Sequence, residues 1–446
     1  MRSLATAFNL LAFANAYTTF ETICSKPSDV VNYVSSADNR STLDILWSCL
    51  LTIVACTWSV QHLNVPEQRE GRDPGWMGDI KWALKRSWTS TKWMMITIIA
   101  PEYLFTKNWA DLSLAKINTP KLQKLAVEDG VPWTLSHTLL ADMGGFVIRS
   151  YVPDRIKKST NTSTSPNAAR SRYSNPFHLI AADILRLRED KVLDRLPYIS
   201  EDELNDKSKG DSFVRVIAIA QISWMAVQIA ARGVKHLAIS QLEIGVLAFA
   251  ACAILIYIIN WKKPKAVCTP FTVLQFESEI PGNVITSIGK KAKDNDFWLG
   301  FSEQYQRGSP IKNDYYYAIE GEDESIEDII AAIVVTMAFG GIHLAAWNFA
   351  FPTFIEQIMW RCSGLICATF FIVYTFIVSA RVVMEELLGI EVKSRSKDFD
   401  AGVFVLAFVL YVVARLFLFV EIFRLLCFLP PSAYIATWAL NIPHIA

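Results

Sequence analysis

Residues 337–361 read MAFGGIHLAAWNFAFPTFIEQIMWR and join the end of one long apolar run to the beginning of the next. A bilayer core offers no water to polar side chains, so those at such a junction have to pair, reach the interface or face a cavity. The stretch therefore predicts one of two things. It is either a functional site, or a belt of tryptophans at the membrane interface with an arginine that binds lipid headgroups. The spacing alone favours the belt. The side chains in question are His343, Trp347, Asn348, Glu356, Gln357, Trp360 and Arg361.

The composition is that of a membrane protein. Of the 446 residues 52% are hydrophobic, and several apolar runs approach the roughly 20 residues that a spanning helix needs. The 43 basic and 43 acidic residues balance, so no general attraction for nucleic acid is expected. The eight cysteines form no CxxC pair and lie mostly in or beside apolar runs, which indicates helix packing. The predicted class is an all-α polytopic transmembrane bundle with interfacial or re-entrant helices.

The N-terminus resembles a secretory signal. Residues 1–16 contain Arg2, a short apolar stretch and Ala14-Asn15-Ala16, which is the order of a signal peptide with its cleavage site. The alternative is an uncleaved N-terminal anchor. Residues 17–42 are predicted to form a short lumenal segment in which Asn39 begins a glycosylation triplet.

Charge placement supports a count of six spans. Residues 43–212 are predicted to hold the first span and a basic, Trp-rich region, and residues 213–446 a five-span bundle with a cytosolic loop at 262–328. This topology puts the basic clusters on one side of the membrane, as the positive-inside tendency requires. It also puts Asn39 in the lumen and a second acceptor, Asn161, in the cytosol. The predicted spans are Leu43–Val60, Phe213–Arg232, Gln241–Trp261, Ile329–Trp347, Cys362–Val383 and Ala401–Phe428.

Three segments between the first two spans are predicted to lie against the membrane without crossing it. In residues 67–93, basic and Trp side chains alternate at helical spacing, which predicts an amphipathic helix in the interface. Residues 93–105 and 133–152 are apolar but too short to span comfortably, so both are interpreted as interfacial or re-entrant elements.

The sequence contains no strong catalytic motif. HExxH, Walker A, GxSxG and DDxxD-like runs are absent, so no metal site and no cofactor is expected. The candidate catalytic acids are Glu356, Glu421 and Asp142. Each also has a structural alternative. Glu356 could form an ion pair with Arg361, Glu421 could form one with Arg424, and Asp142 could belong to a buried structural pair. The candidate substrate-binding residues are His343, Trp347, Asn348 and Trp360.

Four stretches carry a resemblance to a known family. They are WSCLLTIVACTWSVQHLNVPEQREGRDPGW (47–76), VPWTLSHTLLADMGGFVIR (131–149), GGIHLAAWNFAFPTFIEQIMWR (340–361) and ARLFLFVEIFRLLCFLPPSAYIATWALNIPHI (414–445). The chain resembles a large family of mostly uncharacterised fungal polytopic membrane proteins, some associated with secondary metabolism. The resemblance suggests kinship with membrane-bound terpene cyclases of meroterpenoid pathways, but it supplies no catalytic set.

These observations lead to three hypotheses. A membrane-embedded terpene cyclase would protonate an (epoxy)prenylated substrate with a buried neutral acid and stabilise the carbocation with aromatic faces. A transporter would use the polar stripe Gln221, Gln228 and Arg232, although no inverted repeat is visible. A non-catalytic membrane scaffold is the third possibility. The expected location is the endoplasmic reticulum or another endomembrane, and the expected partners are membrane lipids, a lipophilic small molecule and other biosynthetic membrane enzymes.

Overall fold

The computed structural model describes residues 39–70, 72–150, 175–208, 212–288, 308–313, 326–387 and 395–437. The predicted signal at 1–16 and the acceptor Asn161 lie outside these residues. In chain order the elements are α1 (Thr42–Ser59), α2 (Trp76–Ile99), α3 (Pro101–Asp129), α4 (Leu135–Asp142), β1 (Phe146–Ser150), β2 (Phe177–Leu179), α5 (Ala181–Glu189), α6 (Glu201–Lys207), α7 (Ser212–Val234), α8 (Gln241–Ile259), β3 (Phe271–Phe276), α9 (Gly282–Ser287), α10 (Ile326–Leu344), α11 (Phe354–Leu387) and α12 (Arg395–Arg424). Short 3-10 helices follow at Leu425–Phe428 and Pro431–Tyr434.

Six helices in the described part of the chain are long and apolar enough to cross a membrane, namely α1, α7, α8, α10, α11 and α12. One of them forms at each predicted position, so the prediction of six long apolar helices is confirmed. The junction differs from its prediction, because α10 ends at Leu344 and α11 already begins at Phe354. Glu356 and Trp360 therefore lie inside a helix. At 34 residues, α11 is about 51 Å long, which exceeds a bilayer core of about 30 Å.

The chain folds into two compact units. Unit 1 comprises Met1–Cys56, Arg215–Cys252 and Ile333–Ala446, and unit 2 comprises Thr57–Val214 and Ala253–Ala332. Both are discontinuous in sequence because the boundaries fall inside or at the start of α1, α7, α8 and α10.

In unit 1, α10 and α11 approach each other closely at a glycine. A Cβ atom on Gly340 would lie 2.3 Å from the backbone nitrogen of Ala368, so no larger residue fits there without a shift. Small residues allow backbones to approach in this way in membrane bundles. Nearby, the rings of Phe249 and Phe339 meet edge to face with centroids 5.5 Å apart, a favoured aromatic geometry.

A buried polar cluster in unit 1 ties α7 and α8 to the segments at 39–41 and 430–437. Arg40 Nη1 contacts Glu243 Oε1 at 2.7 Å, and Arg40 Nε donates to the carbonyl of Ala433 at 2.7 Å. Arg232 donates to four backbone carbonyls, those of Ala238, Ser432, Ala433 and Ile435. Because charges buried in a bundle need such partners, this cluster gives Arg232 a structural role.

Two of the three members of the polar stripe on α7 have hydrogen-bond partners within unit 1. Gln221 Nε2 donates to Thr52 Oγ1 at 3.2 Å, and Arg232 holds the carbonyls named above. Gln228, the third member of the stripe, is buried. A transport path would need such groups to face water or a substrate, and the contacts of Gln221 and Arg232 instead support helix packing.

Unit 2 contains a small β-sheet, which corrects the all-α prediction. The strand order is β2-β1-β3, with β1 antiparallel to β2 and parallel to β3. Phe146 on β1 stacks between Trp133 and Phe271, with ring centroids 5.9 and 6.0 Å away. The helices α3, α4, α5 and α9 contribute side chains to the same buried core, in which Leu122, Leu140, Ile184 and Val284 are inaccessible or nearly so.

The segment 133–152, predicted to be an interfacial or re-entrant element, contains the helix α4 and the buried strand β1. The chain leaves the helix at Gly144, whose φ of 77° is unfavourable for other residues. A Cβ there would also lie 2.9 Å from Ile311 Cγ1. The apolar character of this segment therefore reflects the core of unit 2.

Residues 93–105 are likewise not a separate element. They contain the end of α2 and the beginning of α3, with Pro101 in the first turn of α3, where its missing N–H costs no hydrogen bond. The rings of Trp93 and Tyr103 stack across this bend with centroids 6.1 Å apart. The predicted helix in residues 67–93 is present as α2, although it extends to Ile99.

Candidate functional site

His343 and Trp360 are brought together in unit 1, and both are buried. Trp360 Nε1 donates to the backbone carbonyl of His343 at 3.1 Å, and His343 Nδ1 lies 2.9 Å from the carbonyl of Phe339. The ring of Phe351 also packs against Trp360, with ring centroids 5.7 Å apart. The indole N–H is thus satisfied inside the protein, and this pair packs α10 against α11.

The guanidinium group of Arg415 lies against two aromatic rings near His343. The guanidinium carbon of Arg415 lies 4.0 Å from the ring centroid of Phe339 and 5.6 Å from that of Phe249. Arg415 is buried. Cation–π contact is the attraction expected for a desolvated guanidinium on such rings. The rings of Phe339 and Phe249 therefore already face a positive charge.

Trp347 and Asn348 form a different contact group with Arg361. Arg361 Nε donates to the carbonyl of Trp347 at 3.0 Å, and its guanidinium carbon lies 4.9 Å from the centroid of the Trp347 ring. Arg361 Nη2 also lies 3.4 Å from Asn348 Oδ1. Trp347 and Asn348 are exposed, so this geometry is that of an interfacial tryptophan beside a basic anchor.

Glu356 and Glu421 share one partner, Arg424. Arg424 Nη2 lies 2.7 Å from Glu356 Oε2 and 2.9 Å from Glu421 Oε1, while its Nε donates to Glu421 Oε2 at 3.0 Å. The expected pairing of Glu421 with Arg424 is therefore present. The expected partner of Glu356, Arg361, is not the one observed. A bidentate guanidinium leaves little room for a substrate on the Glu421 carboxylate.

Glu356 also has a local structural role at the beginning of α11. The backbone N–H of Thr353 donates to Glu356 Oε2 at 3.2 Å, and the N–H of Glu356 donates to Thr353 Oγ1 at 3.3 Å. This reciprocal arrangement is a capping box, which satisfies two backbone donors at a helix N-terminus. Ser240 and Glu243 make the same arrangement at the beginning of α8.

Asp142, the third candidate acid, belongs to unit 2 and not to the group around Arg424. Its Oδ1 accepts from the backbone N–H of Ala181 at 3.0 Å, and its buried Oδ2 has no hydrogen-bond partner among the described residues. Burial raises the pKa of Asp142 to about 7, with a further increase from Asp111 and Asp183. This carboxyl can therefore hold a proton near neutral pH.

A charged cluster lies next to Asp142 in unit 2. Lys263 Nζ contacts Asp111 Oδ2 at 2.6 Å and Asn108 Oδ1 at 3.2 Å, and Lys107 Nζ contacts the same Asp111 oxygen at 2.7 Å. Burial alone would raise the pKa of Asp111, but the two ammonium groups outweigh it and bring the pKa to about 2. Asp111 is therefore ionised, and its charge disfavours ionisation of Asp142.

Unit 2 also contains a cavity of about 380 Å³ that the sequence did not indicate. This volume lies within the range of small-molecule sites. The cavity is lined by the last turn of α1, the inward side of α2 and the segments 61–67, 265–268 and 310–313. Much of the wall is apolar, including Trp58, Leu63, Val65, Val267 and Ile311.

Among the described residues, the charged side chains that line the cavity are four cations and one carboxylate. Lys85 Nζ is bonded to the carboxylate of Glu67, which also pairs with Arg72. Lys265 Nζ donates to the carbonyl of Ser59 at the end of α1. The other two cations are Arg86 and Lys312, both exposed, and among the described residues neither has a carboxylate within ion-pair distance.

Asn64 holds the segment 310–313 in place. The backbone N–H of Asn64 donates to Asn313 Oδ1 at 2.6 Å, and Asn64 Nδ2 donates to the carbonyl of Lys312 at 3.1 Å. Ile311, which precedes Lys312 in the chain, is buried. These bonds fix one wall of the cavity without using the Lys312 ammonium group.

The comparisons with known proteins identify a family without assigning a function. A family model described as "Family of unknown function (DUF8562)" matches residues 11–286 and 323–445, which is most of the chain. No curated protein matches the chain, and no solved structure matches it.

Proposed function

The chain belongs to this family of unknown function, and we propose that it is an integral membrane protein that binds a lipophilic small molecule in the cavity of unit 2. The observation that carries the proposal is the position of the cavity on α2. Trp82 and Thr89 line it from one side of this helix, and the opposite side is apolar and exposed. A largely apolar cavity of this size fits such a ligand.

The outer side of α2 has the features of a helix that lies in the membrane interface. Trp76, Ile80, Leu84 and Trp88 follow one another at intervals of four residues and are 71%, 49%, 65% and 70% exposed. Trp93 and Thr97, on the opposite side, are buried. An exposed apolar stripe of this kind is stabilised by the boundary between headgroups and acyl chains.

Chain continuity supports the same location for unit 2. Ends of α1, α7, α8 and α10 belong to this unit, and all four contain candidate spans. The sequence topology puts these four ends on the cytosolic side, so unit 2 would lie on the cytosolic surface of the membrane. A ligand dissolved in the bilayer would then meet α2 before it meets bulk water. The endoplasmic reticulum or another endomembrane is the compartment we propose.

Acid-initiated terpene cyclisation stays a prediction, with less support than ligand binding. A cyclase needs its acid on a dry cavity that holds the substrate. In the described part of the chain, Glu356, Glu421 and Asp142 do not line the cavity of unit 2. Comparison of lipophilic metabolites with and without the gene in the source organism tests the activity, because a cyclase predicts an accumulating linear prenylated precursor.

Photoaffinity labelling tests the proposed binding. Membranes containing the protein are irradiated with a C16 fatty alcohol that carries a diazirine, and the labelled peptides are identified by mass spectrometry. We expect labelling of the segments 61–67 and 265–268, in addition to lipid-facing helix surfaces. Val267→Trp, which puts a large side chain at the buried wall, should remove the labelling at 61–67.

The matched control changes a side chain of similar size away from the cavity. Val127 on α3 is 82% exposed and does not line the cavity, so Val127→Trp should leave the labelling of 61–67 unchanged. Labelling confined to lipid-facing helices, with no effect of Val267→Trp, would contradict the proposal.

A further inference from the structure

We infer that the cavity of unit 2 selects amphiphiles with an anionic head, such as an alkyl phosphate or carboxylate, and that Arg86 and Lys312 bind that head. The inference rests on the proposed function and adds the chemical class of the ligand. It depends on where the charged and apolar side chains lie within the lining.

The buried part of the lining is mostly apolar, although it also contains the amides of Gln61 and Asn64, and its exposed part carries two cations. The buried part of the wall includes Val65, Val267 and Ile311, whereas Arg86 and Lys312 are exposed. A ligand that fills the cavity would place its apolar chain against the first set and its polar end beside the second. An amphiphile is the chemical class that satisfies both regions at once.

The balance of charge at the rim favours a negative head. Among the described residues, Lys85, Arg86, Lys265 and Lys312 line the cavity together with one carboxylate, that of Glu67. This carboxylate is already shared by Lys85 and Arg72. Burial alone would raise the pKa of Glu67, but hydrogen bonds and charges from these two partners outweigh it and lower the pKa. Within the described part of the chain, the positive charges of Arg86 and Lys312 are thus available to a ligand.

The types of residue at the rim fit an oxyanion. Arg86 offers a planar guanidinium that can bind two oxygens of a carboxylate or phosphate, and Lys312 offers a compact charge. Trp82 is already contacted by Arg72 and Lys85, each 5.0 Å from its ring centroid. A cationic head would therefore meet a site in which the carboxylate and the tryptophan face are both occupied by cations.

Competition for the photoaffinity label tests the inference. The protein is labelled with the diazirine alcohol in the presence of hexadecyl phosphate, hexadecanol or inorganic phosphate. Because two exposed cations contribute modestly in water, we expect hexadecyl phosphate to compete about 10-fold better than hexadecanol. Inorganic phosphate, which has no apolar chain, should not compete, and this arm separates an amphiphile site from a phosphate site.

Substitutions locate the selectivity at the rim. Arg86→Gln and Lys312→Gln should each weaken competition by hexadecyl phosphate about 3-fold, and the double variant about 10-fold, with hexadecanol unaffected. Lys92→Gln on the same helix is the matched control, because Lys92 is exposed and does not line the cavity.

The outcomes separate the two proposals. Equal competition by hexadecyl phosphate and hexadecanol, unchanged in the double variant, would overturn the anionic selectivity while leaving lipophilic binding intact. Competition by inorganic phosphate as strong as that by hexadecyl phosphate would overturn the amphiphile class. Absence of cavity labelling would instead refute the proposed function itself.

Discussion

Replacement of Asp142 by asparagine should make the stability of the protein less sensitive to pH. Asp142 is buried at the end of α4, and its Oδ1 accepts the backbone N–H of Ala181. Asparagine keeps an oxygen that can accept this bond and cannot ionise. Its amide nitrogen would take the place of Oδ2, which has no hydrogen-bond partner among the described residues.

The magnitude follows from the pKa of the carboxyl. Burial raises the pKa of Asp142 from its ordinary value of 3.8 to about 7. One pKa unit corresponds to about 1.4 kcal/mol, so complete ionisation costs about 3–5 kcal/mol of unfolding free energy. The pKa is higher in the folded state than in the unfolded state. The free energy of unfolding is therefore undiminished below pH 3.8, falls as the pH rises from 3.8 to 7, and has lost the full amount above pH 7.

The assay is thermal unfolding of purified protein in detergent between pH 5 and pH 8.5. Near pH 5 the wild type should match or exceed Asp142→Asn, whose buried amide lacks a partner at a cost of about 1–3 kcal/mol. Above pH 7 the order should reverse, and the difference in unfolding temperature should change by about 3 °C across the range, because the unfolding of 446 residues carries a large entropy.

An exposed aspartate supplies the control for general pH effects. Asp190, at the end of α5, is exposed, so Asp190→Asn should give a curve parallel to that of the wild type. Parallel curves for Asp142→Asn and the wild type would refute the reasoning, because they would mean that Asp142 has the same pKa in the folded and unfolded protein.

Three further predictions concern unit 1 and the topology. Glu356→Gln keeps a capping box with Thr353 and should lower stability by about 0–1 kcal/mol, whereas Glu356→Ala also loses the cap and should cost about 1 kcal/mol more in the same unfolding assay. Arg40→Ala leaves Glu243 buried without its guanidinium and should cost about 3–5 kcal/mol, measured as a loss of monodisperse protein. A second change, Glu243→Gln, should recover part of that yield, and no recovery would count against the pair. Asn39 should carry a glycan after expression in a eukaryotic host and Asn161 should not, and a glycosidase-sensitive shift that survives Asn39→Gln would contradict the topology.

The positions of the long helices were predictable because they depend on local composition. An apolar run of about 20 residues indicates a span without any knowledge of its neighbours. The helix ends were predicted less well, since hydropathy alone put the beginning of the fifth span at Cys362 when α11 begins at Phe354. The signal was present in Thr353-Phe354-Ile355-Glu356, which has the S/T-x-x-E form of a capping box.

The sheet of unit 2 was missed because its strands are short and pair over long distances. β1 has five residues and β2 has three. β3, from residues 271–276, lies parallel to β1 more than 100 residues away in sequence. Short apolar runs do not distinguish a buried strand from a helix segment by periodicity. The run at 146–150 was therefore joined to the helix before it.

The cavity was missed for a related reason. Its lining comes from segments between residues 58 and 313, and each has an adequate local explanation. Arg86 belongs to a basic amphipathic helix, and Lys265 to the basic cluster after a span. Lys312 lies in what the sequence indicated as a polar loop. Only the tertiary fold brings these cations to one apolar cavity.

The sign of the charge distinguishes the two regions that were candidates for ligand chemistry. In unit 1 the ring of Phe339 faces the guanidinium of Arg415 at 4.0 Å. A carbocation on the same ring would therefore lie beside another positive charge, an arrangement that Coulomb repulsion disfavours. The same arrangement stabilises the bundle, because Arg415 is buried against the aromatic rings. In unit 2 the exposed cations Arg86 and Lys312 belong to the lining of a largely apolar cavity, where the proposed negative head would be attracted to them. The arrangement of charge therefore favours an anionic amphiphile in unit 2 over carbocation chemistry in unit 1.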